Sequence, residues 1–430
     1  MASSARHDPL YLDTREEVDR FLTRIRGVRE LALDTEGASF HRFVDRVYLL
    51  QLSTRDDTAV IDPLPIGKPP ILGELLEDPQ LEVIFHDADY DLRLLEQDYG
   101  WHVRNIFDTR IAAQLLGLKA FGLAALLERY FGVTLDKKHQ RADWSMRPLT
   151  PGMLDYAAQD TMYLLDLRDR LRDELARKGR LEWAREEFAR LEGTRWEPED
   201  AASGFLRIKG ARDLDRRELA VFRELVRWRD TLARELDRST FRVVGNDALL
   251  EAARTRPRDG PSLMSVKGMP RGVGERNAAG ILAAIRRGEE VPEAELPRFP
   301  RLPRWDKDPD FDARVAALRS VRDAAATRLE LDPGVLCARD RLEALARRAP
   351  RSVEELHDIP ELRRWQISEL GAGFVEALSR LPVAVPGAGT GGEGAGNRRR
   401  RGGRGGNRGE HGQQPATAPV EEDRSPYSDA

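Results

Sequence analysis

Three short runs in the first part of the chain carry side chains that could do acid–metal chemistry. Asp34–Thr35–Glu36 closes the apolar run Glu30–Leu31–Ala32–Leu33, which reads as a strand. Residues i and i+2 of a strand share a face. Leu31 and Leu33 then turn to a core, and Asp34 and Glu36 lie together on the other side. Two carboxylates held that close repel unless a cation lies between them. The second run is His86–Asp87–Ala88–Asp89–Tyr90–Asp91–Leu92–Arg93–Leu94–Leu95. Leu92 and Leu95 fit a buried helix face, with Asp91 beside it near the helix start, where an acid also favours the macrodipole. Asp87 and Asp89 precede that face and read as solvated or capping acids. The third run is Tyr156–Ala157–Ala158–Gln159–Asp160. Positions i and i+4 of a helix share a face, so phenol and carboxylate point into the same space. A tyrosine there is otherwise a core residue with its hydroxyl at the edge.

The elements that must position these groups alternate between strand and helix. Glu30–Asp34, Val47–Leu52, Thr58–Ile61 and Leu81–Phe85 read as strands; Ala88–Gln97 and Thr109–Leu116 read as helices. Thr150–Pro151 is a helix start, with a capping hydroxyl and a proline whose missing N–H costs nothing in the first turn. That helix is expected to run to about Ala176. The pattern predicts an α/β domain over residues 1–200, a mixed sheet flanked by helices. From Asp213 the strands stop. Leu219, Phe222, Leu225, Trp228 and Leu232 recur at helical spacing as a core stripe. Small all-α domains are expected over 213–292 and 311–382, joined by a proline-rich linker at 293–310. Residues 383–430 hold glycine, arginine and polar residues and are expected to be disordered.

An acid pair on a strand, an acid after a later strand and Tyr-x-x-x-Asp on a later helix, in that order, resemble the DEDD family of 3'→5' exonucleases in its tyrosine branch. The histidine branch has a histidine five residues before the last aspartate, where this chain has Asp155. Asp108–Ala113 and Trp144–Leu149 resemble segments of ribonuclease D. Leu225-x-x-Trp228–Arg229-x-x-x-Ala233 resembles the HRDC modules of that family, and residues 311–382 look like a second, more divergent copy. The resemblance covers roughly residues 11–381. It implies a ribonuclease H-like fold, two HRDC-like domains, and a metal-dependent exoribonuclease that releases nucleoside 5'-monophosphates from RNA ending in a 3'-hydroxyl, tRNA precursors included.

The resemblance also implies the site. Two divalent cations, Mg²⁺ or Mn²⁺, would activate water and stabilise the leaving oxygen, and a set of four carboxylates with no cysteine or histidine cluster suits their preference for oxygen. Asp34 would bridge both ions, Glu36 and Asp160 would hold the one that activates water, and Asp91 the second. Tyr156 would orient the water, since a phenol of ordinary pKa is a poor base at neutral pH. Thr35, Lys137, Lys138 and Arg147 are expected against the substrate. His86 is expected to be a hydrogen-bonded structural residue, and Asp108 to fix a strand-to-helix turn.

Charge and composition bound the alternatives. The chain has 430 residues, a net charge of -4 and one cysteine, Cys337. That excludes a disulfide framework and multi-cysteine zinc sites. No apolar run reaches membrane-span length and no signal peptide is evident, so a cytoplasmic protein with no membrane partner, no small-molecule cofactor and a monomeric state is expected. Six arginines between Arg398 and Arg408 form a basic patch that could contact phosphate. The rest of the chain is slightly acidic, so RNA must be held by local surfaces. The competing functions are a DNA 3'→5' exonuclease and a catalytically inactive RNA-binding scaffold.

Overall fold

The structure is a computed structural model that describes residues 8–136, 138–198, 200, 202–300 and 310–381. The arginine patch and the tail expected from 383 onward lie outside the described residues, as does part of the proline-rich linker. Six strands form one sheet: β1 (Leu10–Leu12), β2 (Glu30–Glu36), β3 (Leu49–Ser53), β4 (Thr58–Ile61), β5 (Glu82–Phe85) and β6 (Ile106–Asp108). Their order is β1-β4-β3-β2-β5-β6. β3 runs antiparallel to β2 and β4, and the other pairings are parallel. The sheet is mixed and covered on both faces, as expected. The edge strands β1 and β6 were not expected; three residues each is too short for a period to show.

Alternation along β2 divides the core. Leu31 and Leu33 pack with Phe21, Leu72, Phe85, Leu92 and Leu95. Ala32 turns to the opposite face, with Ile84, Phe107 and Leu167. The helix expected over 151–176 is two helices, Pro151–Met162 and Leu164–Arg177, broken at Tyr163, whose φ and ψ are -106° and -5°. The break lets the first piece lie on β2, β3 and β4 while the second lies on β2 and β5. One straight rod could not follow both.

The two all-α regions are present. Helices Arg216–Glu235, Asn246–Thr255 and Arg271–Glu290 enclose Leu219, Phe222 and Leu225, with Trp228 and Leu232 against them. Helices Phe311–Leu329, Arg339–Arg348 and Arg364–Ser379 repeat the unit. The second unit is not separate from the sheet domain: its apolar core is continuous with the sheet's own. Trp183 and Trp365 stack across the junction with centroids 4.7 Å apart, and Arg363 pairs with Glu187 at 3.0 Å. Cys337 is buried in this core. No described helix is long and apolar enough to cross a membrane.

Candidate active site

The acidic pair stands at the C-terminal end of β2. Alternation puts Asp34 and Glu36 on the face that the Pro151–Met162 helix covers. Thr150 Oγ1 accepts the Met153 N–H at 3.3 Å and starts that helix. The Thr161 hydroxyl lies 2.8 Å from Ser53 Oγ on β3 and pins the helix to the sheet beside Asp160. The result is a group of three carboxylates, Asp34, Glu36 and Asp160, with one oxygen from each within 4.8 Å of the others.

Asp91 joins by a different route. It stands in the first turn of the Asp89–Tyr99 helix, and its Oδ1 accepts both the Thr35 amide (3.0 Å) and the Thr35 hydroxyl (2.6 Å). It is outside the tight trio but close enough to act on it electrostatically. Burial, then the charges of Asp34, Asp160 and Asp91, hold the Glu36 carboxyl well above its ordinary pKa. Burial and Asp160 do the same to Asp34. Asp91 is raised by burial and Asp34, against its Thr35 hydrogen bonds. Asp160 is pushed up to about 7 by burial and then by Asp91. Four acids that oppose one another's ionisation form a site that a hard cation would relieve.

Gln51 supplies a second, independent sign. It sits on β3 directly opposite Asp34, fully buried, and neither atom of its amide has a hydrogen-bond partner among the described residues. An orphaned buried polar group costs about 1–3 kcal/mol. A hydrated divalent ion seated on the neighbouring carboxylates would give that amide partners, so the donor set fits oxygen-preferring cations. Sequence reasoning passed over Gln51; the available signal was a lone amide among Leu49, Leu50 and Leu52 in an otherwise apolar strand.

Tyr156 stands one turn before Asp160. Its ring centroid is 6.0 Å from those of both Trp144 and His139. At Gly37, the residue after Glu36, a Cβ would lie 1.9 Å from the Tyr90 hydroxyl oxygen, so any side chain there would displace Tyr90. Tyr90 donates to Asp45 at 2.5 Å, and the other Asp45 oxygen accepts the Ala38 amide at 2.8 Å. These bonds fix the turn that leaves the acidic pair.

The residues expected against the substrate fare differently. The Thr35 side chain is buried and its hydroxyl is bonded to Asp91. Arg147 is engaged by the protein itself. Its guanidinium is bonded to the buried Asp62 and to the carbonyls of Trp144 (2.7 Å), Met146 (2.8 Å) and Tyr48 (3.0 Å). All five of its N–H donors thus have partners within the protein. Lys138 is exposed and pairs with Asp136 at 2.9 Å; Lys137 lies outside the described residues. His86 is hydrogen-bonded to Thr109 at 2.9 Å, and burial and Arg110 lower its pKa to about 3, so it is a neutral structural residue. Asp108 caps the Thr109–Leu115 helix through the Arg110 and Ile111 amides.

The comparisons with known proteins agree with this architecture. A family model described as 3'-5' exonuclease matches residues 9–176, and one described as HRDC domain matches 218–285 and 311–378. Ribonuclease D of Granulibacter bethesdensis is 31% identical over 367 residues, covering 84% of this chain and 91% of that protein. The exosome complex component 10 homolog of Caenorhabditis elegans is 36% identical over 253 residues, which span 58% of this chain and 29% of that one. Among solved structures, Escherichia coli RNase D, described as an exoribonuclease involved in structured RNA processing, superposes with a TM-score of 0.68 at 27% identity, over 88% of this chain and all of that one. With the exonuclease domain followed by two HRDC matches, and 31% identity across 91% of a ribonuclease D, this chain belongs to the ribonuclease D family of 3'→5' exoribonucleases.

Proposed function

We propose that the chain hydrolyses RNA from its 3'-hydroxyl end at the Asp34–Glu36–Asp91–Asp160 cluster, acting in tRNA 3' processing and RNA turnover. Residues 1–200 would carry the chemistry. The helical units, within 213–292 and 311–382, would gather structured RNA, and 293–310 would link them. The observation that carries the reading is the convergence of Asp34, Glu36 and Asp160 within 4.8 Å, with Tyr156 one turn before Asp160 on the same helix and Asp91 bonded to the intervening Thr35.

Two divalent cations, Mg²⁺ or Mn²⁺, would supply an activated water and charge stabilisation at the leaving oxygen. The chain's own residues would do the rest. Asp34, at the centre of the carboxylates, would ligate both ions. Glu36 and Asp160 would complete one cradle. Asp91, steadied by Thr35, would lie on the outer side. The Tyr156 hydroxyl would orient the attacking water. Gly37 and the Tyr90–Asp45 bond would keep the acidic pair from shifting with the turn behind it. The protein would work as a monomer in the cytoplasm, on tRNA precursors and other structured RNA.

The test is incubation of the purified chain with matched end-labelled RNA and DNA strands in Mg²⁺ or Mn²⁺. Shortening of the RNA from its 3' end, with release of nucleoside 5'-monophosphates and much slower loss of DNA, is the expected result. Clear preference for DNA would overturn the RNA substrate. A protein that binds RNA but cuts neither strand would be the inactive scaffold.

Cation binding has a readout apart from activity. A ligand bound only by the folded state adds about 2.7 kcal/mol at a hundred times its Kd. Adding Mg²⁺ or Mn²⁺ to the cation-free parent should therefore raise its melting temperature, and Asp34→Asn should lose most of that gain. Equal gains in both proteins would place the ions elsewhere.

A further inference from the structure

The turn that leaves β2 brings Phe40 only four residues past Glu36, so the two Cα atoms lie within about 14 Å. Phe40 is 41% exposed. Facing it is Phe241 of the first helical unit, 48% exposed, with ring centroids 4.9 Å apart and planes at 57°. Two guanidiniums lie over Phe40: Arg242 at 5.1 Å and Arg141 at 5.6 Å from its centroid. Neither has an ion-pair partner among the described residues, and no described cation covers Phe241.

The seam that holds the rings together is built from polar bonds rather than from the rings. Ser239 Oγ donates to the Phe40 carbonyl at 2.9 Å. Asp237 takes the Phe43 amide and Arg42, each at 3.3 Å. His41 lies 3.0 Å from the Arg141 carbonyl and 3.7 Å from Asp143, and fixes the turn that carries Arg141. Rings needed only for packing would be buried here. Instead they stand half-open beside uncommitted positive charge. Exposed aromatic faces stack with bases whatever the sequence, and arginine planes extend the stack while pairing with phosphate.

We propose that Phe40, Phe241, Arg141 and Arg242 form a stacking platform for single-stranded RNA just upstream of the nucleotide at the acidic cluster. The proposal rests on the exoribonuclease reading above and deepens it: catalysis and the first helical unit would share one substrate path. The platform would favour RNA whose 3' end is unpaired beyond the terminal nucleotide, and it would reward length.

The experiment compares the parent, Phe241→Ala and Phe241→Tyr on a ladder of labelled RNA oligonucleotides from the dinucleotide upward. In the parent, kcat/KM should rise with length until the platform is filled. Stacking of one base predicts that Phe241→Ala cuts that gain about tenfold, mainly in KM, and that Phe241→Tyr restores it. In the uncut complex with Asp34→Asn, an abasic nucleotide at the platform position should weaken binding by a similar factor, and adding Phe241→Ala should then cost nothing more. A full length gain in Phe241→Ala, or an abasic site that changes nothing, would overturn the platform. A parent that shortens no RNA of any length would overturn the exoribonuclease reading instead, while the binding measurements still decide the platform.

Discussion

Asp34→Asn is expected to reduce hydrolysis about a thousandfold or more while leaving RNA binding within a few-fold of the parent. Asp34 belongs to the tight acidic trio; Asp160 opposes its ionisation, and its own charge opposes that of Glu36. A carboxylate that two cations would share, as proposed for Asp34, would contribute several kcal/mol of charge stabilisation, and each 1.36 kcal/mol is a factor of ten in rate. Asparagine keeps the size and the strand pairing but not the charge. The fold should tolerate the change. In the cation-free protein it should even be mildly stabilising, because it removes one of several buried charges that repel. The informative pairing is therefore opposite signs: rate collapses while the metal-free melting temperature holds or rises. A variant that cuts as fast as the parent would remove Asp34 from the site.

How far the site was legible follows from what each residue depends on. Asp34 and Glu36 were legible because strand alternation is local: Leu31 and Leu33 declare the core face, and the acids must take the other. Tyr156 and Asp160 were legible for the same reason at helical period, with Thr150–Pro151 marking the start. Asp91 was legible as a helix-start acid, but its partner Thr35 was not. The same alternation that exposes Asp34 and Glu36 turns Thr35 away from them, toward the helix that carries Asp91. The three-residue strands β1 and β6 owe their existence to neighbours already in place, and no period of their own announces them. The break at Tyr163 follows from two parts of one sheet face, over β3–β4 and over β2–β5, each claiming part of the helical run. Gln51 was hidden because its meaning lies in a register across strands: it matters only once Asp34 is opposite it.

Arg147 shows what local reading leaves open, and it supports the largest expected effect on stability. An arginine just before the Pro151–Met162 helix looks identical in sequence whether it meets a phosphate or a buried acid 85 positions away. Here it meets the acid. Asp62, at the end of β4, is nearly inaccessible; it accepts from Arg147 Nη2 and from the Tyr11 hydroxyl, each at 2.8 Å. Burial pushes the Asp62 carboxyl up, but Arg147, Tyr11 and the Leu64 amide outweigh it and hold its pKa below the ordinary value. Removing one partner of a buried pair strands the other charge, at a cost of about 3–5 kcal/mol. Arg147→Met should therefore destabilise the sheet domain by that amount, read as a lower denaturant midpoint, and loosen the segment that delivers Tyr156 and Asp160. A depressed carboxyl pKa stabilises the parent above the unfolded value near 4 and stops doing so as the pH falls through the folded value. In the variant the stranded Asp62 protonates more readily. The gap between parent and variant should thus be widest at neutral pH and shrink below about pH 4. Changing Asp62 to leucine in the Arg147→Met background removes the stranded charge and should recover part of the loss. If Arg147→Met instead kept its midpoint and only weakened RNA binding, Arg147 would be a phosphate ligand after all, and the Asp62 pairing incidental.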